Sequence, residues 1–195
     1  LKMKDARRCA SGGTLSRLRV VLIGMGVAAW GSAVAWQFHS AMSYEATPGE
    51  RSVKSVKAEA GQKSRVVVVV HPECPCTKAT LAQLREIVAR QGASLDATVL
   101  VANEGEQAGS SENERIARSI PGVQVRLVGA GAPETLGAKT SGEAFYFDQS
   151  GKLVYHGGLT EGRGVERPSP GAYCLINSKG LSKKDGEVFG CPLQH

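Results

Sequence analysis

Two cysteines one residue apart, Cys74 and Cys76, enclose Pro75 and follow His71-Pro72-Glu73. Only a thiolate attacks a disulfide or binds a soft metal, so what matters is where the chain puts these sulfurs. Residues 65–71 (RVVVVVH) form a β-branched run that predicts a strand buried on both faces. After the cysteines, Leu81, Leu84, Ile87 and Val88 recur at helical spacing until Gly92 ends the pattern. The pair therefore falls at a strand-to-helix junction, where unpaired N–H groups and the positive end of the helix dipole favour a thiolate. Lys78 reinforces that field and Glu73 opposes it. Pro75 holds Cys74 extended and is expected in the first helical turn, fixing how the sulfurs face each other. A bridge across a single residue is geometrically tight, hence labile and oxidising. In this reading Cys74, the more exposed by position, attacks a substrate disulfide and Cys76 or Cys191 resolves the mixed disulfide. This chemistry requires no cofactor. The alternative is a Cu(I) or other soft-metal site built from Cys74, Cys76 and Cys191, with His71 as an optional further ligand.

Cys191 lies in an apolar ending, Val188-Phe189-Gly190-Cys191-Pro192-Leu193, of the kind that docks on a domain. Near the first helix it becomes a resolving thiol or a third ligand; paired with Cys174 it is a staple. Cys174, among Ala172, Tyr173, Leu175 and Ile176, is expected to be buried and inert. Cys9 precedes the apolar run described next and is an incidental thiol.

The elements that position these residues follow a β-α-β-α-β-β-α order. Leu95–Ala102 and Val123–Val128 predict strands, and Ser111-x-x-Glu114 matches a capping box opening a helix that Pro121-Gly122 stops. Residues 142–148 and 152–156 predict a hairpin around Gln149-Ser150-Gly151, and a last helix is expected over 171–178. That order defines an α/β fold, a mixed central sheet flanked by helices.

Net charge is +6, but Lys2, Lys4, Arg7, Arg8, Arg17 and Arg19 crowd the first nineteen residues, and the remainder is close to neutral. A nucleic-acid surface therefore has no support beyond the head. Residues 20–36 carry no charge, which predicts a transmembrane helix or uncleaved signal anchor over 18–38, favoured over a cleaved signal ending near Ala33-Val34-Ala35. Basic residues before the run place 1–17 in the cytoplasm and the rest outside. Residues 39–62 read as a linker and 63–195 as the globular domain. The expectation is a single-pass protein of the cytoplasmic (inner) membrane with a periplasmic or otherwise extracytoplasmic C-terminal domain.

The stretch VVVVVHPECPCTKATLAQL, with Lys139-Thr140-Ser141-Gly142 ahead of AFYFDQSGKLVYHGGLT, resembles a thioredoxin-like domain. More narrowly, the HPxCPC start, YHGGLT-x-GRG and the closing VFGCPL resemble the membrane-anchored proteins called RedB. The resemblance implies a thioredoxin-like fold, a redox site at Cys74 and Cys76, and a disulfide- or thiol-bearing extracytoplasmic protein as partner. It also implies that Thr140 and Ser141, in the place of the family's proline, face the cysteines and join Pro75 in contacting substrate. The first strand lacks the family's buried acid, so His71 is the candidate proton acceptor.

Overall fold

The computed structural model describes residues 13–51, 56–102, 111–129, 136–177 and 185–193. The chain divides into two compact units, Leu1–Tyr44 and Glu45–His195.

The first unit is dominated by helix α1 (Gly13–Ala46), the one described helix long and apolar enough to cross a membrane. Its side chains from Leu18 through Trp30, Trp36 and Phe38 stay exposed. The helix outruns the expected 18–38 because no proline follows that span until Pro48.

In the second unit a five-stranded sheet has the order β3-β2-β1-β4-β5. Strand β1 (Ser64–Val70) is central, parallel to β2 (Leu95–Ala102) and antiparallel to β4 (Glu143–Phe147). Strand β3 (Val123–Val128) extends the parallel side and β5 (Leu153–Gly158) the antiparallel side. A core covers each face of the sheet at β1, which is why five consecutive valines suit that strand. Val66, Val68 and Val70 point toward helix α2 (Thr77–Gln91), meeting Leu81, Leu84 and Ile87 in the larger core. Val69 points the other way, into a smaller core with Phe145, Phe147, Ala138 and Leu193 of the tail.

Helix α2 ends at Gly92, whose φ of 55° lets its N–H return to the Val88 carbonyl. Helix α3 (Glu112–Arg118) opens on Ser111, whose hydroxyl accepts the Glu114 N–H at 3.1 Å. The reciprocal half of the capping box is missing: the Glu114 carboxylate instead pairs with Arg118 at 2.8 Å. The β4–β5 turn closes on Asp148, which accepts the N–H groups of Ser150 and Lys152. Helix α4 (Pro170–Ile176) is capped by Ser169.

Part of the expected linker is attached to this body. Gly49 donates to the Val188 carbonyl at 2.7 Å, Thr140 Oγ1 to the Glu50 carbonyl at 2.5 Å, and Ala58 to the Gly151 carbonyl at 3.0 Å. Residues 47–51 thus lie against the loop before β4 and against the tail.

Candidate redox site

The site lies beyond the C-terminal end of β1, where the chain turns before α2. Cys74 N–H donates to the His71 carbonyl at 3.3 Å and Thr77 N–H to the Cys74 carbonyl at 3.2 Å, so residues 71–77 descend through two tight turns. The helix begins at Thr77 with Cys76 as its cap, so Pro75 precedes α2 instead of occupying its first turn, where the sequence places it. Cys76 makes no side-chain capping bond, leaving its sulfur for other partners. One buried residue of α3 fixes this turn from outside. Asn113 Nδ2 lies 3.1, 2.9 and 2.9 Å from the carbonyl oxygens of His71, Pro72 and Cys74.

Two further segments close over the turn. The loop before β4 brings Ser141, whose hydroxyl accepts the His71 N–H at 2.8 Å and lies 3.0 Å from Thr77 Oγ1. The tail brings Cys191: Ser141 N–H donates to its carbonyl at 2.8 Å, and Leu193 N–H to the Lys139 carbonyl at 2.9 Å. Gly190 is required at this crossing, since a Cβ there would run into the Ser141 carbonyl. Beneath the loop, the fully buried Glu143 accepts the N–H groups of Lys139 at 2.9 Å and Thr140 at 3.4 Å. Its other oxygen lies 2.6 Å from His156 Nε2, and that ring stacks on Phe145. A buried carboxylate does exist here, on β4 instead of β1.

These segments gather Cys74, Cys76 and Cys191, all free thiols. Burial alone would raise the Cys74 thiol, but hydrogen bonds from the Cys191 thiol and N–H, Thr77 and Ser141 outweigh it and hold Cys74 below the ordinary range. Burial and the negative charge on Cys74 push Cys76 up, against the pull of Arg163 and the Gly164 N–H. Burial, its hydrogen bond to Cys74 and the charges of Cys74 and Cys76 push Cys191 up to about 12, with Arg163 opposing. Of the three thiols, Cys74 is thus the one that ionises most readily, and both of the others act on it. Arg163, from the loop after β5, also donates to the carbonyls of Gly190 and Thr47, so it spans the tail and the residue just after α1.

Several expectations change. Cys74 is the buried sulfur, 2% exposed, whereas Cys76 and Cys191 are half-buried. The reason is tertiary: the Ser141 loop and the tail cover Cys74. His71 Nδ1 accepts the Glu73 N–H at 3.2 Å, which commits one ring nitrogen to the turn. Ser141 faces Cys74, whereas Thr140 turns its hydroxyl away to Glu50. Cys174, on α4, is half-buried and not fully enclosed, and it forms no bridge with Cys191. Cys9 lies outside the described residues. Among the described residues, no group of three His, Cys, Asp or Glu side chains is disposed to hold a metal ion. Thr77, Asn113, Arg163 and Gly164 join the site without a sequence signal of their own beyond the GRG segment of the RedB resemblance.

No family model matches the chain, and no curated protein matches it. Solved structures do. An uncharacterized conserved protein from Geobacillus kaustophilus superposes with a TM-score of 0.55 at 15% identity, over 77% of this chain and 93% of that one. A hypothetical protein from Sinorhizobium meliloti 1021 gives a TM-score of 0.54 at 15% identity, over 76% and 94%. A thioredoxin-like protein solved in its oxidized form gives 0.47 at 13% identity, over 69% and 97%. The fold is thioredoxin-like: a mixed five-stranded sheet with flanking helices, and cysteines between the central strand and its following helix.

Proposed function

We propose that this chain is a membrane-anchored, extracytoplasmic thiol-disulfide oxidoreductase of the RedB type, working through Cys74-Pro75-Cys76 with Cys191 as a third sulfur. The observation that carries this reading is the set of donors on Cys74. A buried sulfur that receives hydrogen bonds from Thr77, Ser141 and both the thiol and the N–H of Cys191 ionises below the ordinary thiol range, beside two further thiols. A nucleophilic sulfur next to a resolving thiol is what disulfide exchange needs. Helix α1 supplies the anchor in this reading, and the partner is an extracytoplasmic protein bearing a disulfide or a thiol pair. No cofactor is required.

The test uses the full chain in detergent micelles. Free thiols are counted across a series of glutathione or dithiothreitol potentials, insulin reduction is followed, and metal is measured by elemental analysis. Two thiols titrating reversibly together, with insulin reduction lost in Cys74→Ser, support the oxidoreductase. Stoichiometric copper lost in Cys76→Ala, with no exchange by the metal-free protein, would establish the soft-metal alternative.

A further inference from the structure

The unequal burial of the three sulfurs raises a question that the oxidoreductase reading leaves open, namely which of them meets the client. Cys74 ionises most readily but is only 2% exposed, enclosed by the Ser141 loop and the tail. A protein disulfide cannot reach a sulfur in that position without displacing both segments. Cys76 is the helix cap, half-exposed, with the Gly164 N–H and Arg163 directed at its sulfur. Cys191 is hydrogen-bonded to Cys74, and Arg163 bonds the carbonyl next to it. Cys74 is therefore the sulfur that is hydrogen-bonded to both of the others.

We propose that the three sulfurs act as a relay, in which Cys76 exchanges with the client and Cys74 passes the bridge inward to Cys191. The proposal rests on the oxidoreductase reading and assigns the order of its steps. In the reducing direction, Cys76 gives up its proton and attacks a client disulfide as the thiolate, forming a Cys76–client bond and expelling one client thiolate, which takes up that proton. The Cys74 thiolate next attacks Cys76, forming the tight Cys74–Cys76 bridge and expelling the second client thiolate. Cys191 then gives up its proton and attacks Cys74; the Cys74–Cys191 bond forms, and Cys76 leaves as a thiolate facing Arg163 and the Gly164 N–H. Cys74 and Cys191 are oxidised to one disulfide, one client disulfide is reduced to two thiols, the protons from Cys76 and Cys191 end on the client, and the negative charge moves from Cys74 to Cys76. A dithiol donor reopens Cys74–Cys191 by two exchanges of the same kind. The last internal step is downhill because a bridge across one residue is strained, whereas Cys74 and Cys191 come from separate segments that already meet.

The experiment is a peptide map of the wild-type full chain in micelles, oxidised with insulin, quenched with N-ethylmaleimide and digested without reduction. The expected product has a Cys74–Cys191 bridge and the label on Cys76. Cys76→Ser should still form that bridge with diamide, a small oxidant, while insulin reduction falls roughly tenfold or more, because exchange requires an accessible attacking sulfur. Cys191→Ser should stop at the Cys74–Cys76 bridge. A wild-type Cys74–Cys76 bridge with labelled Cys191, or an unchanged insulin rate in Cys76→Ser, would overturn the relay and leave the oxidoreductase standing. Absence of any bridge with either oxidant would overturn both.

Discussion

The amide of Ser141 donates to the carbonyl of Cys191 at 2.8 Å, so the tail cysteine is fastened by its main chain to the loop that faces Cys74. Gly190 makes the contact sterically allowed, since any Cβ there collides with the Ser141 carbonyl. Gly190→Ala should therefore move Cys191 away from Cys74, at about 1–3 kcal/mol of stability for an overpacked contact. With its strongest donor displaced, Cys74 should ionise at higher pH. Thiolate absorbance near 240 nm reads the second effect and denaturant unfolding the first; an unchanged titration would mean that Cys191 does not set the Cys74 charge.

Ser141 contributes differently, through its hydroxyl. It accepts the His71 N–H at 2.8 Å and donates to Cys74, so Ser141→Ala leaves a main-chain donor unpaired and removes one bond from the anion. The loss should be about 1–3 kcal/mol. Iodoacetamide trapping of Cys74 as a function of pH should shift upward, whereas Ser141→Thr, which keeps the hydroxyl, should lie near the wild type.

How much of this arrangement is legible in sequence depends on whether a signal is local. Strands Leu95–Ala102 and Val123–Val128 have the predicted bounds, and α2 stops at Gly92 as predicted, because β-branched runs and a left-handed glycine act on their own neighbours. The meeting of Cys74, Cys76 and Ser141 follows from a family likeness that encodes the strand-to-helix junction. Asn113 gave no signal, because a single asparagine inside α3 reveals nothing until the helix is packed beside residues 71–74. The exposure of Cys74 was inverted for a similar reason. Helix position alone opens it to solvent, and only the return of a tail from the far end of the chain covers it.

Asn113 also separates two kinds of defect. Its amide nitrogen faces three carbonyls, while Oδ1 is buried with no hydrogen-bond partner among the described residues. Asn113→Leu should lose about 1–3 kcal/mol, because the Pro72 carbonyl loses its donor and the His71 and Cys74 carbonyls keep only their bonds from the Cys74 and Thr77 N–H groups. Asn113→Asp should be worse than Leu, because a carboxylate would direct a negative oxygen at the same acceptors. Denaturant midpoints at neutral pH rank the two; the reverse ranking would contradict the assigned orientation of the amide.

The thiols also make the stability of the reduced protein depend on pH in two opposing ways. Cys74 is depressed in the folded state, so its contribution is present above the unfolded thiol value of ~8.5 and is lost as pH falls through its lower folded value. Cys76 and Cys191 are raised, so their contribution is full below ~8.5 and is lost as pH rises toward the Cys191 value of about 12. The thiol part of stability should peak near the ordinary thiol range and decline on both sides. Denaturant midpoints of the reduced full chain against pH, with Cys74→Ser as comparison, check the sign. A Cys74→Ser protein that keeps the acid-side decline would show that Cys74 is not the group responsible.

Arg163 is the cation that both outer thiols share. It lowers Cys76 and Cys191 against burial and the charge on Cys74, and its bonds to the Gly190 and Thr47 carbonyls hold it there. Arg163→Gln preserves hydrogen-bonding capacity on a shorter side chain but removes the charge, so the Cys76 thiol should become harder to ionise and slower to alkylate at neutral pH. Arg163→Lys should recover part of the rate, since a point charge replaces the electrostatic pull without the forked geometry. A purely structural role would lower the unfolding midpoint and leave Cys76 trapping in the folded protein unaltered. Rate against pH for labelling at Cys76, resolved by mass spectrometry from labelling at Cys74, distinguishes the two. The expected order is wild type, then Arg163→Lys, then Arg163→Gln, with the profile of the last displaced to higher pH.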